Sequence, residues 1–558
     1  MYMFIALIWK EDRFNNRSTY IIIDIMFKLI LILCFFVKST CGNKNFIFYQ
    51  PDEMRAESLG CYGNKITKTP NFDAFAKTAT RFQQAHVSYT VCTQSRVAFM
   101  TGWPTHVRGH RTLWSLLHDW EPNLLKYFKE LNYTVLWHGK NDLLAYDSFE
   151  KSVSKASQST GKLNGKNPYK MEDPEYYSFL YDPYPGDYNT TRDYNNVIKA
   201  INFLNSGPTN KPFFIFLPLT KPHPPYSVPE PFYSTIDPET ITNLRPSNLK
   251  NKPDYYQLIR QYRNMTSLTD KFFRKLHSVY LGSITYSDFL FGLLLEAVKV
   301  NGFEDSTTIS VFADHGDYAG DYGLVEKWPS GLEDVLTRVP LIIRTPGGTE
   351  GHVVNELVQL YDIVPTMLDI ADIKLKHVQF GKSLKAQLFG ATGDPNRAVF
   401  SEGGYSTNEP RDFEGNPING GIPSEGNIYY PKLLQQQEKP LSVCRAVSIR
   451  TMKYKLIIRT DPTSPQHFNE LYDLTKDPKE LHNVYYNNDD ISYNDIITNL
   501  KQQIFEWYMF TSDVTPWPID PRSGNMPYPP SRRLPIDIGE DTIDVGGGDD
   551  EEEEEYYY

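Results

Sequence analysis

The residues most able to do chemistry in this chain are one cysteine and two small acid clusters. Cys92 opens the segment V-C-T-Q-S-R-V-A-F-M-T-G over 91–102, just ahead of Ser95 and Arg96. A lone cysteine is more often a packed thiol than a nucleophile, so its neighbours decide. Asp52 and Glu53 follow an apolar run in Y-Q-P-D-E-M-R, and Asp314 and His315 follow another in F-A-D-H-G-D. Either pair alone reads as a strand-end turn or a helix cap. Converging, they would offer one divalent ion a hard-oxygen set, which suits calcium. The ring of His315 is an uncommon calcium donor and leaves magnesium or manganese open. Such an ion would keep a nucleophile ionised and polarise a substrate oxygen.

With Cys92, Ser95, Arg96, Thr101 and Gly102 in register, the segment resembles the signature of the sulfatase family, and the likeness runs from about 45 to 510. The resemblance implies that Cys92 is oxidised in the endoplasmic reticulum by the formylglycine-generating enzyme. The hydrate of that aldehyde carries two hydroxyls on one carbon, one to attack sulfur and one to expel sulfate from the covalent sulfo-enzyme. It also implies that Asp52, Glu53, Asp314 and His315 bind the metal together with Cys92, and that Arg96 reinforces nucleophile and carboxylates. Lys140 in H-G-K-N-D and Lys327 in G-L-V-E-K-W fall on the family's sulfate-binding lysines. His223 in T-K-P-H-P-P-Y falls on the histidine that meets the bridging oxygen, the candidate general acid.

Four positions depart from the family pattern. Gln94 replaces the usual Pro or Ala, Glu53 the commoner Asp or Gln, and Trp103 a common Arg. Asp142 stands where sulfatases have the histidine of Lys-x-His, so the base that takes a proton from the diol is Asp142, or else His138 from the other side. Two other readings remain open. One is a phosphonate monoester or phosphodiester hydrolase of the same alkaline-phosphatase-like superfamily, against which the paired lysines argue. The other is a catalytically silent secreted protein that binds sulfated sugar. The resemblance implies a sulfated small molecule or glycosaminoglycan-type sugar as substrate, and the Pro- and Tyr-rich loops offer stacking faces for a pyranose.

Short apolar runs alternate with helical periodicity from Asn45 onward, the texture of a doubly wound α/β sheet with helices on both faces. Strands are expected at Phe46 to Tyr49, Thr134 to Trp137, Lys211 to Leu219, Thr308 to Phe312 and Leu341 to Ile343. Helices are expected at Asn71 to Ala79, Pro122 to Leu131, Leu276 to Val300 and Asp362 to Ala371. Residues 150–200 show little periodicity and read as an insertion at the site mouth. From about 396 the texture becomes that of a smaller antiparallel sheet, with strands at Ala446 to Ile449 and Lys453 to Arg459 and a packing helix at Asn494 to Tyr508. This divides the chain into a leader (1–42), a catalytic domain (43–395), a smaller C-terminal domain (396–528) and an acidic tail (529–558).

The 558 residues carry a formal charge of -11, which leaves no basic surplus for nucleic acid. Seven carboxylates of that balance lie in the run 546–555, which reads as a solvated, disordered tail. Met26, Lys28 and the apolar run to Val37 form a secretory signal pattern, with cleavage expected near Gly42 and no membrane contact afterwards; a signal-anchor is the alternative. A lysosomal or extracellular destination follows, and the glycosylation acceptors Asn132, Asn189 and Asn264 agree with it. Of five cysteines only Cys61, Cys92 and Cys444 lie beyond the leader. That is no disulfide framework; Cys61 and Cys444 read as buried thiols, with a mutual bridge as the alternative.

Overall fold

The apolar residues after Lys44 form a central strand in the computed structural model, which describes residues 44–157, 164–208, 210–406, 409, 423–459, 469–486 and 491–514. The expected leader and acidic tail lie outside the described residues. β1 (Asn45–Asp52) is buried along its whole length, as a strand covered on both faces must be. It is followed by β2 (Thr80–His86), β3 (Thr134–His138), β4 (Lys155–Ser157), β5 (Phe213–Pro222) and β6 (Thr307–Phe312). The short β7 (Arg338–Val339), β8 (Leu341–Arg344) and β9 (Val353–Gln359) complete a nine-stranded mixed sheet. Its order is β4-β3-β5-β1-β6-β8-β2-β7, with β9 beside β2.

β4, β3, β5, β1 and β6 are parallel neighbours. β8 runs antiparallel to β6, and β2 antiparallel to β8, so β2 again points with β1. The chain therefore leaves β1, β2, β3, β5 and β6 on one edge of the sheet, where α/β folds place their sites.

Helices cover both faces, and the alternation of β1 shows which. The Tyr49 ring lies 6.1 Å from Phe72 of α1 (Pro70–Lys77), whereas Phe46 on the opposite face lies 4.7 Å from Phe128. On Phe46's side stand α2 (Cys92–Thr101) and α3 (Leu124–Glu130), the latter carrying Phe128; α4 (Tyr146–Ser152) packs against α3. On Tyr49's side α5 (Arg192–Asn205) and the 31-residue α6 (Asp270–Val300) pack with α1. α6 is long and apolar enough to cross a membrane, but most of its apolar stretch is interior. Tyr49 Oη donates to the Ser287 carbonyl at 2.7 Å, fixing α6 against β1. α7 (Ile363–Ile370) packs against α2.

The second sheet is antiparallel: β10 (Val399–Gly403), β11 (Ala446–Arg450), β12 (Tyr454–Arg459) and β13 (Glu470–Asp473). α8 (Tyr430–Glu438) precedes β11. α9 (Ile491–Thr511) lays Ile497, Leu500, Ile504 and Trp507 on Val447, Ile449, Leu456 and Leu471. The sheets are joined through Gln359, whose side-chain amide exchanges two 2.9 Å hydrogen bonds with the Phe400 backbone.

Two sequence expectations differ from the structure. The stretch 150–200 is not all insertion, because α5 begins at Arg192 with Thr191 Oγ1 accepting from the Tyr194 N–H. The expected helix at 276–300 starts earlier, at Asp270, after the cap residue Thr269. No bridge joins Cys61 to Cys444; Cys444 is buried as expected, whereas Cys61 is only half-buried. Asn132, Asn189 and Asn264 all stand exposed.

Candidate active site

Cys92 is the first residue of α2, at the helix end where backbone N–H groups lack intrahelical partners. Its Sγ lies 3.3 Å from His315 Nε2, 3.6 Å from Asp52 Oδ1 and 3.8 Å from Lys140 Nζ. Ser95 and Arg96 follow at i+3 and i+4, so they share the face of Cys92. Ser95 Oγ donates to the Asp314 carbonyl at 2.6 Å. Arg96 donates from Nε to Asp314 Oδ2 at 2.8 Å and from Nη2 to Asp52 Oδ2 at 2.9 Å. The Cys-x-x-Ser-Arg spacing is thus a helix face that ties the ends of β1 and β6 to the cysteine. Gly102 ends α2 at φ +78°, and a Cβ there would meet Gln379 at 2.8 Å, so glycine is required.

Glu53 sits in the left-handed region at φ 64°, an uncommon place for a side chain this long. The turn is held by Tyr280 Oη, which donates to the Glu53 carbonyl at 2.8 Å, and by the Glu53 N–H donating to Asp314 Oδ1 at 3.2 Å. Strain at such a position persists only where the surroundings impose it. Here it turns the Glu53 carboxylate toward a lysine and an imidazole: Oε1 lies 2.7 Å from Lys327 Nζ and 3.1 Å from His223 Nε2.

The ends of β3 and β5 supply the rest. Lys140 Nζ lies 2.8 Å from Asp52 Oδ2 and 2.8 Å from Asp142 Oδ2, and Asp142 Oδ2 lies 3.8 Å from Arg96 Nη1. His223 Nε2 lies 3.3 Å from Lys327 Nζ, while its Nδ1 meets the Pro224 carbonyl at 2.5 Å. The structure therefore brings Asp52, Glu53, Cys92, Arg96, Lys140, Asp142, His223, Asp314, His315 and Lys327 into one cluster. His138 points elsewhere, with Nδ1 on Ser157 Oγ at 2.7 Å. Most of the cluster is sealed; Lys140, whose side chain is 15% exposed, and Asp142 mark where it opens to solvent.

Electrostatics follow from this crowding. Burial pushes the Asp52 carboxyl up, but the Lys140 and Arg96 cations outweigh it and hold the group well below the usual carboxylate range. Glu53 is raised well above that range by burial, with Asp317 and Asp52 adding repulsion. Burial also raises the Cys92 thiol, and it lowers the His223 and His315 imidazoles. Lys327 and Lys140 press on His223 in the same direction.

Asp52, Glu53, Cys92 and His315 each place one ligand atom within 4.8 Å of the others. Glu53 Oε2 is buried without a hydrogen-bond partner among the described residues, an acceptor a cation would satisfy. These donors fit a divalent ion. Asp314 stands beside the four rather than among them, since its oxygens accept from Arg96 Nε and from the N–H groups of Glu53 and His315. Gln94 is buried, its Nε2 donating to the Arg111 carbonyl at 2.7 Å. Trp103 is spent on packing, with Nε1 donating to the Val378 carbonyl.

Sequence reasoning missed Glu326 and Lys432. Glu326 lies 2.9 Å from Lys327 Nζ and accepts from Lys432 Nζ of α8 at 2.8 and 3.0 Å. Glu326 precedes Lys327 in the same motif, so a closer reading reaches it. Lys432, far along a loop-rich stretch, carries no local signal.

Known proteins place this geometry. The Sulfatase profile matches residues 44–373, more than half of the chain, and the profile described as N-sulphoglucosamine sulphohydrolase, C-terminal, matches 425–509. Iduronate 2-sulfatase of Mus musculus is 26% identical over 79% of this chain and 90% of its own. An N-acetylglucosamine-6-O-sulfatase of Bacteroides thetaiotaomicron is 24% identical over 82% and 87%. The fold matches the phosphonate monoester hydrolase of Agrobacterium radiobacter with a TM-score of 0.66 at 20% identity, covering 84% of this chain and 96% of that one. These are α/β folds of the alkaline-phosphatase type, and the chain is a sulfuric ester hydrolase that belongs to the sulfatase family.

Proposed function

We propose that this enzyme removes sulfate from a sulfated sugar, with Cys92 converted to formylglycine and a calcium ion held by Asp52, Glu53 and His315 together with the modified residue 92. The observation that carries the reading is the position of Cys92 Sγ, 3.3 Å from His315 Nε2 and 3.6 Å from Asp52 Oδ1. Sγ marks where the hydrate oxygens of the modified residue would stand. The ion supplies Lewis-acid polarisation and holds the attacking oxygen ionised.

The chain's own residues do the rest. Lys140, beside Asp52, and Lys327, beside Glu53, bring two cations to the cluster for the oxygens of a bound sulfate. His223 Nε2 is the atom that hands a proton to the departing sugar oxygen, its Nδ1 being committed to Pro224; the ring takes up that proton once the charge of the bound sulfate offsets Lys327 and Lys140, which press it toward neutrality. Asp142 is at hand to take a proton from the second hydroxyl; its Oδ2 lies 2.8 Å from Lys140 Nζ. Arg96 holds Asp52 and Asp314 fixed throughout.

Support for a sugar comes from the rim and from the relatives. Trp120, 56% exposed, stacks on His118 with centroids 4.4 Å apart and planes at 4°. His118 Nδ1 lies 3.1 Å from Asp147 of α4, beside the fully projecting Tyr146. Both loops precede helices that run back to β3 and β4, so they share the site's edge. β3 is two strands from β1, about 10 Å at the usual strand spacing. A glycan held at Lys140 would reach these rings, and flat aromatic faces suit pyranoses. The two relatives are named iduronate 2-sulfatase and N-acetylglucosamine-6-O-sulfatase, and a fold neighbour was solved with D-glucosamine-2-N,6-O-disulfate as its substrate.

The leader and the exposed acceptors Asn132, Asn189 and Asn264 support passage through the secretory pathway to the lysosome or cell exterior, with modification of Cys92 on the way. Mass spectrometry of the tryptic peptide Phe82 to Arg96 from secreted protein tests the first claim: an aldehyde is expected, and an unaltered thiol overturns it. Aryl sulfate hydrolysis lost in Cys92→Ala, with little turnover of an aryl phosphate diester, tests the second.

A further inference from the structure

β5 ends in a doubly fastened turn. The Asp193 carboxylate of α5 accepts the backbone N–H groups of Thr220 at 3.0 Å and Lys221 at 2.8 Å. The Lys221 side chain then folds forward over the next residues. Its Nζ donates to Asn164 Oδ1 at 2.6 Å, the Pro225 carbonyl at 2.9 Å and the His223 carbonyl at 3.5 Å. An ammonium has three donors, and three oxygens receive them. Burial lowers this amine to about 7, opposed by the Asp193 charge. That is an expensive placement for a lysine, and the molecule keeps it directly behind His223.

On the side away from Glu53 and Lys327, His223 is oriented by one bond, from Nδ1 to the Pro224 carbonyl at 2.5 Å. Lys221 grips the carbonyls on either side of that one. The cations that press on the imidazole are Lys327 and Lys140, so the contribution of Lys221 lies in geometry.

We propose that Lys221 is a positioning residue for proton donation: by clamping the carbonyls of His223 and Pro225 to Asn164, it sets where His223 Nε2 meets the leaving oxygen. This rests on His223 being the general acid. Proton donation matters most when the leaving group is poor, so mispositioning acts selectively. Lys221→Met, which keeps the stem and removes the donors, should lower kcat about 10-fold or more on sulfates with poor leaving groups and less than about 3-fold on nitrophenyl-type sulfates, with KM little changed.

The experiment measures kcat and KM for the secreted full chain, for Lys221→Met and for His223→Ala, over a series of aryl sulfates from nitrophenyl to unsubstituted phenyl. Steeper leaving-group dependence in both variants supports the inference. His223→Ala steep with Lys221→Met uniformly slowed or unchanged overturns the role of Lys221 alone. A flat response in His223→Ala overturns the assignment of the acid, and the inference with it. Should Lys221→Met fail to be secreted, Asn164→Ala removes one of the three acceptors: a smaller split of the same kind supports the clamp, and an equal loss on all esters overturns it.

Discussion

Arg96 Nε lies 2.8 Å from Asp314 Oδ2, both side chains fully buried, and this contact locks the first turn of α2 to the end of β6. The same guanidinium reaches Asp52, so one cation serves two carboxylates that would otherwise repel in a dry site. Removing it leaves both without that partner. Arg96→Met should cost about 3–5 kcal/mol in unfolding free energy, the range for breaking a buried ion pair, and added calcium should recover part of the loss. Urea titrations with and without calcium read both effects.

The cluster Asp52, Glu53, Cys92 and His315 makes a specific statement about Glu53, whose Oε2 lacks a hydrogen-bond partner among the described residues. Chelation of the purified enzyme should lower its melting temperature and abolish turnover, and calcium should restore both. In Glu53→Gln the calcium needed for half-recovery should rise at least about 10-fold. Thermal scans across calcium concentrations check this, and a Gln variant with unchanged calcium demand would rule Glu53 out as a ligand.

Asp142 and His138 were alternative bases, and they now differ in reach. Asp142 lies 2.8 Å from Lys140 and 3.8 Å from Arg96, whereas His138 is committed to Ser157. Asp142→Asn should lower kcat by about 100-fold or more, with accumulation of sulfated enzyme detectable by intact mass. His138→Ala should stay within about 3-fold of the parent.

The Trp120 and His118 pair predicts a dependence on glycan length. Trp120→Ala should raise KM several-fold for a sulfated oligosaccharide while leaving kcat and the hydrolysis of small aryl sulfates unchanged. Equal KM values for both substrate classes in the variant would remove the aromatic rim from substrate binding.

Asp288 on α6 gives a pH signature in stability. It accepts the N–H of Phe72 at 2.7 Å and the side-chain amide of Asn71 at 2.8 Å, yet burial raises its carboxyl to about 6. A raised folded pKa means the native state holds its proton more tightly, so this stabilisation is full below about pH 4 and is lost as pH rises through about 6. The span is about 3 kcal/mol at most. Asp288→Asn should flatten the decline of the urea midpoint between those values relative to the parent.

The strands that frame the site were legible because each is covered on both faces and so reads as a short, largely apolar run; Phe46 to Tyr49 is unbroken, and Thr308 to Phe312 carries Ile, Val and Phe alongside two small hydroxyl residues. β2 was not legible, since T-R-F-Q-Q-A-H alternates polar residues along a partly exposed face. The start of α2 at Cys92 was hidden for another reason. Its ten residues are all buried, so the helix has no amphipathic stripe for periodicity to reveal.

The sequence by itself determined which groups are available: a cysteine with Ser95 and Arg96 on one helix face, two acid pairs at strand ends, and lysines and a histidine inside turn-rich motifs. Those are properties of neighbouring residues, set by local spacing and hydrophobic runs. Only the tertiary structure decided how they are shared out. It placed Asp314 against Arg96, turned His138 away and Asp142 inward, and folded Lys221 back onto His223. The reason is physical: hydrogen-bond partners and burial depend on distances between segments far apart in the chain, and the cost of a buried charge is settled only when all its neighbours have arrived.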